Sequence, residues 1–69
     1  MITIQEIQER LIQSIKESGL KQVKIAELLG LSYSTVNNFM RLKNLPSLDT
    51  FANLCKILDV SSDEILGLK

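Results

Sequence analysis

Three residues, Gly30-Leu31-Ser32, separate two short stretches of helical character, and no other feature restricts the fold of this chain as much. Before them, Ile25, Ala26 and Leu29 recur at helical spacing from about Lys21 onward; after them, Val36 and Phe39 do the same as far as about Arg41. Gly30 can close the first stretch in the left-handed backbone conformation, which other residues enter only with strain, and Ser32 can cap the second. Ala26 is small where two helices must approach closely, and Leu31 can plug the corner from beneath. Val36 and Phe39 can then anchor the second helix to the remaining core. The pattern calls for two short helices crossing nearly at right angles.

The rest of the chain is also helical in period. Thr3 and Glu6 have the spacing of a capping box, in which hydroxyl and carboxylate each satisfy an orphan amide. From there Ile4, Ile7, Leu11 and Ile15 form an apolar stripe, widened by Ile12. Glu6, Glu9, Arg10, Lys16 and Glu17 take the other side, and Gly19 ends the helix. After a loop from Lys43 to Pro46, Ser47 is placed to cap a fourth helix, whose Leu48, Phe51, Leu54, Cys55 and Leu58 lie at core spacing and which Asp59 stops. Ser61 and Glu64 suggest a second capping box, opening a short fifth helix that turns Ile65 and Leu66 inward. No stretch alternates as a half-buried strand would. With one Pro, three Gly and no repeat, residues 1–69 offer no linker, and one all-α five-helix domain is expected.

A core this small leaves little stability to spare, which makes pairing with a second copy a natural source of further burial. There is no His and only one Cys, so His-based catalysis, Cys/His metal sites and an internal disulfide are excluded. Cys55 reads as a small buried hydrophobe in a reducing compartment. Neither a membrane span nor a secretory signal is evident, and a cytoplasmic, nucleoid-associated protein is expected. The eight cations and eight anions cancel overall, yet they are not evenly spread. Lys21, Lys24, Arg41 and Lys43 stand against Glu27 alone between Lys21 and Lys43, a local +3. The remaining residues carry −3, with seven anions to four cations. One face suited to phosphate and acidic faces elsewhere would produce that asymmetry.

In the stretch GLKQVKIAELLGLSYSTVNNFMRLKNLPSLDTFANLCKILDVSSDEIL, from Gly19 to Leu66, the sequence resembles the Cro and repressor type of helix-turn-helix family found in phage repressors and many bacterial regulators. Gln22, Ala26, Gly30, Val36, the Pro46-Ser47 helix start and the LDVSSDEIL ending occur at the family's spacing. The resemblance implies a compact, lambda-repressor-like DNA-binding domain, with the helix-turn-helix formed by the second and third helices and the third lying in the major groove of double-stranded DNA.

At about 100° per residue, Val36, Phe39 and Met40 fall on one side of the third helix and Ser34, Asn37, Asn38 and Arg41 on the other. That outer face is polar and free of acid. Asn can pair with adenine, Ser with several base edges or phosphate, and Arg with guanine or phosphate. The resemblance assigns base contacts to Tyr33, Ser34, Asn37 and Asn38, with the Tyr33 ring suited to a thymine methyl. It assigns phosphate contacts to Gln22, Ser32, Thr35 and Arg41, and second-rank ones to Lys43 and Asn44. Gln22 would act at the positive end of the second helix. Two departures stand out: Leu42 replaces a common Gly after the third helix, and Met40 a commonly charged residue.

The expected function is that of a transcriptional regulator, a repressor by type, binding a palindromic operator as a homodimer through the fifth helix, Leu66 and Leu68. No cofactor is implied, and no nucleophile sits beside a plausible base, so no enzyme is indicated. Asp63 and Glu64 read as first-turn acids that stabilise a helix. Two alternatives are a protein-interaction module using Val23, Leu28, Met40 and Leu42, and the DNA-binding part of a longer, ligand-responsive regulator.

Overall fold

The computed structural model of the chain describes residues 1–69. Its regular structure consists of five helices: α1 (Ile4–Ser18), α2 (Gln22–Leu29), α3 (Tyr33–Met40), α4 (Leu48–Leu58) and α5 (Ser62–Leu66). The all-α, five-helix expectation is met, and no helix is long and apolar enough to cross a membrane. The radius of gyration, 11.1 Å, matches the about 11 Å of a close-packed chain of this length.

Helix boundaries follow local chemistry. Gly19, Gly30 and Gly67 close α1, α2 and α5 at φ +75°, +70° and +76°. Asp59 closes α4 in the same left-handed conformation without being a glycine, at φ +55°. At the starts, three expectations change: Ser47 stands at the N-cap of α4, but its hydroxyl makes no cap bond to an amide and donates to the Asp49 carboxylate instead. Thr3 Oγ1 accepts the Glu6 amide at 3.2 Å, but the Glu6 carboxylate accepts the Thr3 hydroxyl, also at 3.2 Å, so only half of the capping box forms. Ser61 stands at the N-cap of α5 but its hydroxyl makes no cap bond, leaving first-turn Asp63 and Glu64 to stabilise that end.

Leu11, Ile15, Ile25, Ala26, Val36, Leu54, Cys55, Leu58 and Ile65 form one buried cluster, with every helix contributing. Ile25, Val36 and Leu54 are fully enclosed, each contributing about 1.5–3 kcal/mol by leaving water. α2 packs chiefly on α3 and also on α4, while α1 lies against α3, α4 and α5. Phe39 is buried and Met40 lies half-buried against the core, so the apolar side of α3 is the one its spacing predicts.

Two residues on predicted core stripes lie exposed, and two more, Ile12 and Leu66, are only half-buried and stand outside the buried cluster and its packed neighbours. Ile4 is 56% exposed and Leu48 88% exposed. Each begins its helix, where the stripe has run past the edge of the neighbouring element. Arg10 departs the other way. Read as a solvated residue, it is half-buried, and its Nε donates to the Ile65 carbonyl at 2.7 Å. This joins α1 to the last turn of α5, where a cation meets the negative end of the helix dipole.

Candidate nucleic-acid interface

The turn from α2 to α3 is built as its residues require. Gly30 N–H donates to the Glu27 carbonyl at 3.2 Å and Leu31 N–H to the Ala26 carbonyl at 2.9 Å, the paired bonds of a Schellman end. Ser32 then caps α3: its Oγ accepts the Thr35 amide at 3.2 Å and lies 2.8 Å from Thr35 Oγ1 and 3.2 Å from Ser34 Oγ. Three hydroxyls therefore gather at the start of α3. With Val36 and Phe39 holding the opposite side in the core, the helix is fixed about its axis and its polar side must face outward.

Ser34 and Arg41 lie open on that side, as predicted, and Tyr33 is 54% exposed. Asn37 and Asn38 are half-buried rather than fully solvated, and so is Thr35. Half-burial restricts side-chain freedom, which lowers the entropy cost of a later hydrogen bond. The local side-chain hydrogen bonds are all among Ser32, Ser34 and Thr35 and leave the Asn37 and Asn38 carboxamides free.

Beyond α3 the chain ends its helix on Leu42. Leu42 N–H donates to the Phe39 carbonyl at 3.3 Å, and Lys43 N–H to the Asn38 carbonyl at 2.9 Å. Leu42 adopts φ +61°, the conformation for which glycine is the ordinary choice. The leucine thus keeps the turn a glycine would make. Exposed Lys43 and Asn44 follow at once, and the Asn44 amide also points at the Asn38 carbonyl, at 3.4 Å.

Gln22 opens α2. Lys21, the N-cap residue, supplies no side-chain cap bond. Its carbonyl accepts the Lys24 and Ile25 amides, both at 3.0 Å, whereas the Gln22 and Val23 amides precede the first such bond and point out of the helix end. Gln22 lies in an open recess of about 510 Å³ shared with Lys16, Lys21, Val23, Tyr33 and Met40. Its Oε1 is enclosed and has no hydrogen-bond partner. Packing, rather than a protein hydrogen bond, holds this side chain.

The recess adds what sequence reasoning missed: Lys16 shares it with Gln22, Tyr33 and Lys21, the last already counted in the basic stretch. Lys21 stands next to Gln22 in the chain, so its part was readable from adjacency. Lys16 lies on α1 and reaches the recess only through the fold. Of the four apolar residues weighed for a protein contact, Val23, Leu28 and Leu42 are exposed, but Met40 is withdrawn against the core.

One further property separates α2 and α3 from the other helices. Neither has an acid in its first turn, whereas α1 has Glu6, α4 has Asp49, and α5 has Asp63 and Glu64. A family profile described as helix-turn-helix matches residues 11–65. Neither a curated protein nor a solved structure matches the chain.

Proposed function

Because the chain belongs to the helix-turn-helix family of DNA-binding regulators, we propose that residues 1–69 act as one domain that binds a palindromic operator as a homodimer and represses transcription. α3 lies in the major groove. Asn37 and Asn38 read base edges, Ser34 bonds to a base or phosphate, and the Tyr33 ring packs on a thymine methyl. Gln22, Ser32, Thr35, Arg41, Lys43 and Asn44 position the duplex by its backbone, joined by Lys16 and Lys21. The protein works at the nucleoid, in the cytoplasm, and neither cofactor nor catalysis enters the mechanism.

The observation that carries this reading is the combination of an acid-free pair of helix starts with a polar α3 face fixed by Val36 and Phe39. Positive helix ends attract phosphate, and a rigidly held face can present hydrogen-bonding groups to base edges in one register.

Salt dependence tests it. With Lys16, Lys21, Arg41 and Lys43 of two copies on phosphate, log K should fall with log salt at a slope of about −7, from roughly −0.9 per neutralised phosphate. Lys43→Ala should flatten that slope by about one for each copy bound and weaken all sequences alike. Binding that is insensitive to salt would rule the reading out and favour a protein partner.

A further inference from the structure

Three recesses open on the surface of the domain, and their linings differ in charge. A groove of about 220 Å³ between α1 and α4 contains no ionisable group. A recess of about 460 Å³ beside α4 and α5 has one charge of each sign, Lys56 and Asp59. The recess at the start of α2, about 510 Å³, has Lys16 and Lys21 and no acid. Both lysines are exposed, and neither enters the chain's two ion pairs, Arg10 with Glu6 and Lys24 with Glu27. Its other walls are apolar: Ile15, Leu20, Val23 and Met40, with Tyr33 beside them. Met40 replaces a residue commonly charged in the family, so this apolar wall is a property of the chain and not of the fold.

We infer that this recess binds a small organic anion of the class of alkyl and aryl carboxylates. Its apolar body lies on Ile15, Val23 and Met40, and Lys16 and Lys21 hold its charged head. Small-molecule sites combine mostly apolar walls with a few convergent polar groups, and this is the one recess of the three whose charges are all of one sign. The two lysines select an anion. The apolar walls select one with a hydrocarbon body, because a bare inorganic ion would leave them wet. Gln22 supplies a further group: its Oε1 is enclosed and without a partner. No hydrogen bond therefore fixes which end of the carboxamide faces outward, and Gln22 is free to turn its Nε2 donor to a carboxylate.

Occupancy has a consequence for duplex binding, which rests on the reading above. There, Lys16, Lys21 and Gln22 meet the DNA backbone, and the same groups cannot hold a carboxylate and a phosphate at once. Filling the recess therefore releases the duplex, and by linkage the duplex expels the anion to the same degree. The site acts as an effector site built into the DNA-binding surface itself, with no movement of the helices required.

Titration of the full chain with hexanoate, at constant ionic strength and without DNA, tests the site. Tyr33 is the only Tyr and there is no Trp, so intrinsic fluorescence reports on this recess alone. Hexanoate should change it saturably in the millimolar range, the strength open to so few atoms. Hexan-1-ol, without the charge, and inorganic phosphate, without the hydrocarbon, should each bind at least roughly tenfold more weakly. Lys16→Gln should weaken hexanoate by up to roughly fivefold. Val23→Asp, which sets an acid in the wall, should weaken it by roughly tenfold; it also gives α2 a first-turn acid, so the melting temperature should hold. Lys56→Gln, the same loss of charge outside the recess, should bind as wild type does. A response that never saturates, that hexan-1-ol or phosphate reproduces, or that survives both Lys16→Gln and Val23→Asp overturns the inference. Hexanoate at saturation should also weaken duplex binding by at least roughly fivefold in fluorescence anisotropy. Unchanged duplex affinity with the recess filled overturns the release of DNA. A chain that binds hexanoate but no duplex supports the site and refutes the DNA-binding reading, so the two failures are distinct.

Discussion

The start of α3 and the start of α4 solve the same physical problem in opposite ways. Each begins at a Ser, Ser32 or Ser47, and each leaves amides pointing out of its first turn. At α4, Asp49 sits in that turn; Ser47 Oγ donates to its carboxylate and lies 2.9 Å from Thr50 Oγ1. At α3 the corresponding turn holds only Tyr33, Ser34 and Thr35, and no charge answers the helix dipole. A first-turn acid stabilises an exposed helix by about 0.3–1 kcal/mol. α3 forgoes that, as does α2, so both keep an uncompensated positive end of the kind that suits an anion. The difference is one of charge and not of capping: α3 has the Ser32 cap but no acid, whereas α4 has an acid but no side-chain cap bond.

The sharpest way to break the comparison is to give α3 an acid. Ser34→Glu places an acid in its first turn, so the melting temperature should hold or rise while duplex affinity falls by at least roughly tenfold, the loss of one base-edge contact plus repulsion. Calorimetry and fluorescence anisotropy on the same samples would separate the two effects; unchanged affinity would mean that this end does not meet DNA. Leu42→Gly asks a smaller question about the other end of α3. Removing the left-handed strain of a leucine should stabilise the fold by about 1 kcal/mol, a rise of roughly 4–8 °C in a domain of this size. A drop would show that the half-exposed leucyl side chain contributes more than its backbone costs.

Asp49→Asn gives the smallest effect and tests the end that has its acid. The Ser47 hydroxyl bond, then the Thr50 backbone bond, holds the Asp49 carboxyl below its ordinary value. A depressed carboxyl contributes stability that is present above the unfolded value and is lost as pH falls through the folded one. The variant should therefore melt slightly below wild type at neutral pH and converge with it in acid. A constant gap across the titration would remove the carboxylate from the account.

The same comparison explains what was legible in the sequence. Gly30, Ser32 and the apolar pair Val36 and Phe39 specify α2, the turn and α3, because each acts on neighbours within a turn or two. The acid-free starts of α2 and α3 are equally plain in the sequence once helix limits are known. Ile4 and Leu48 were misassigned to the core because periodicity reports which side of a helix is apolar but not what covers it. Arg10 bonds a carbonyl 55 positions away, and Lys16 joins Gln22 only across two helices. Neither contact has a local signal. Leu42 could be recognised as a departure from the family, but only the backbone shows that leucine takes the conformation of the glycine it replaces.

The central claim is that α3 reads DNA sequence. Selection of bound duplexes from a random pool, followed by anisotropy titration of the enriched duplex against wild type and Asn38→Ala, tests it most directly. The account predicts a palindromic winner with half-sites about 34 Å apart, and a variant that binds it about 1–3 kcal/mol more weakly while relaxing preference at one base pair. A pool with no enriched sequence, or an Asn38→Ala variant with wild-type preference, would contradict it.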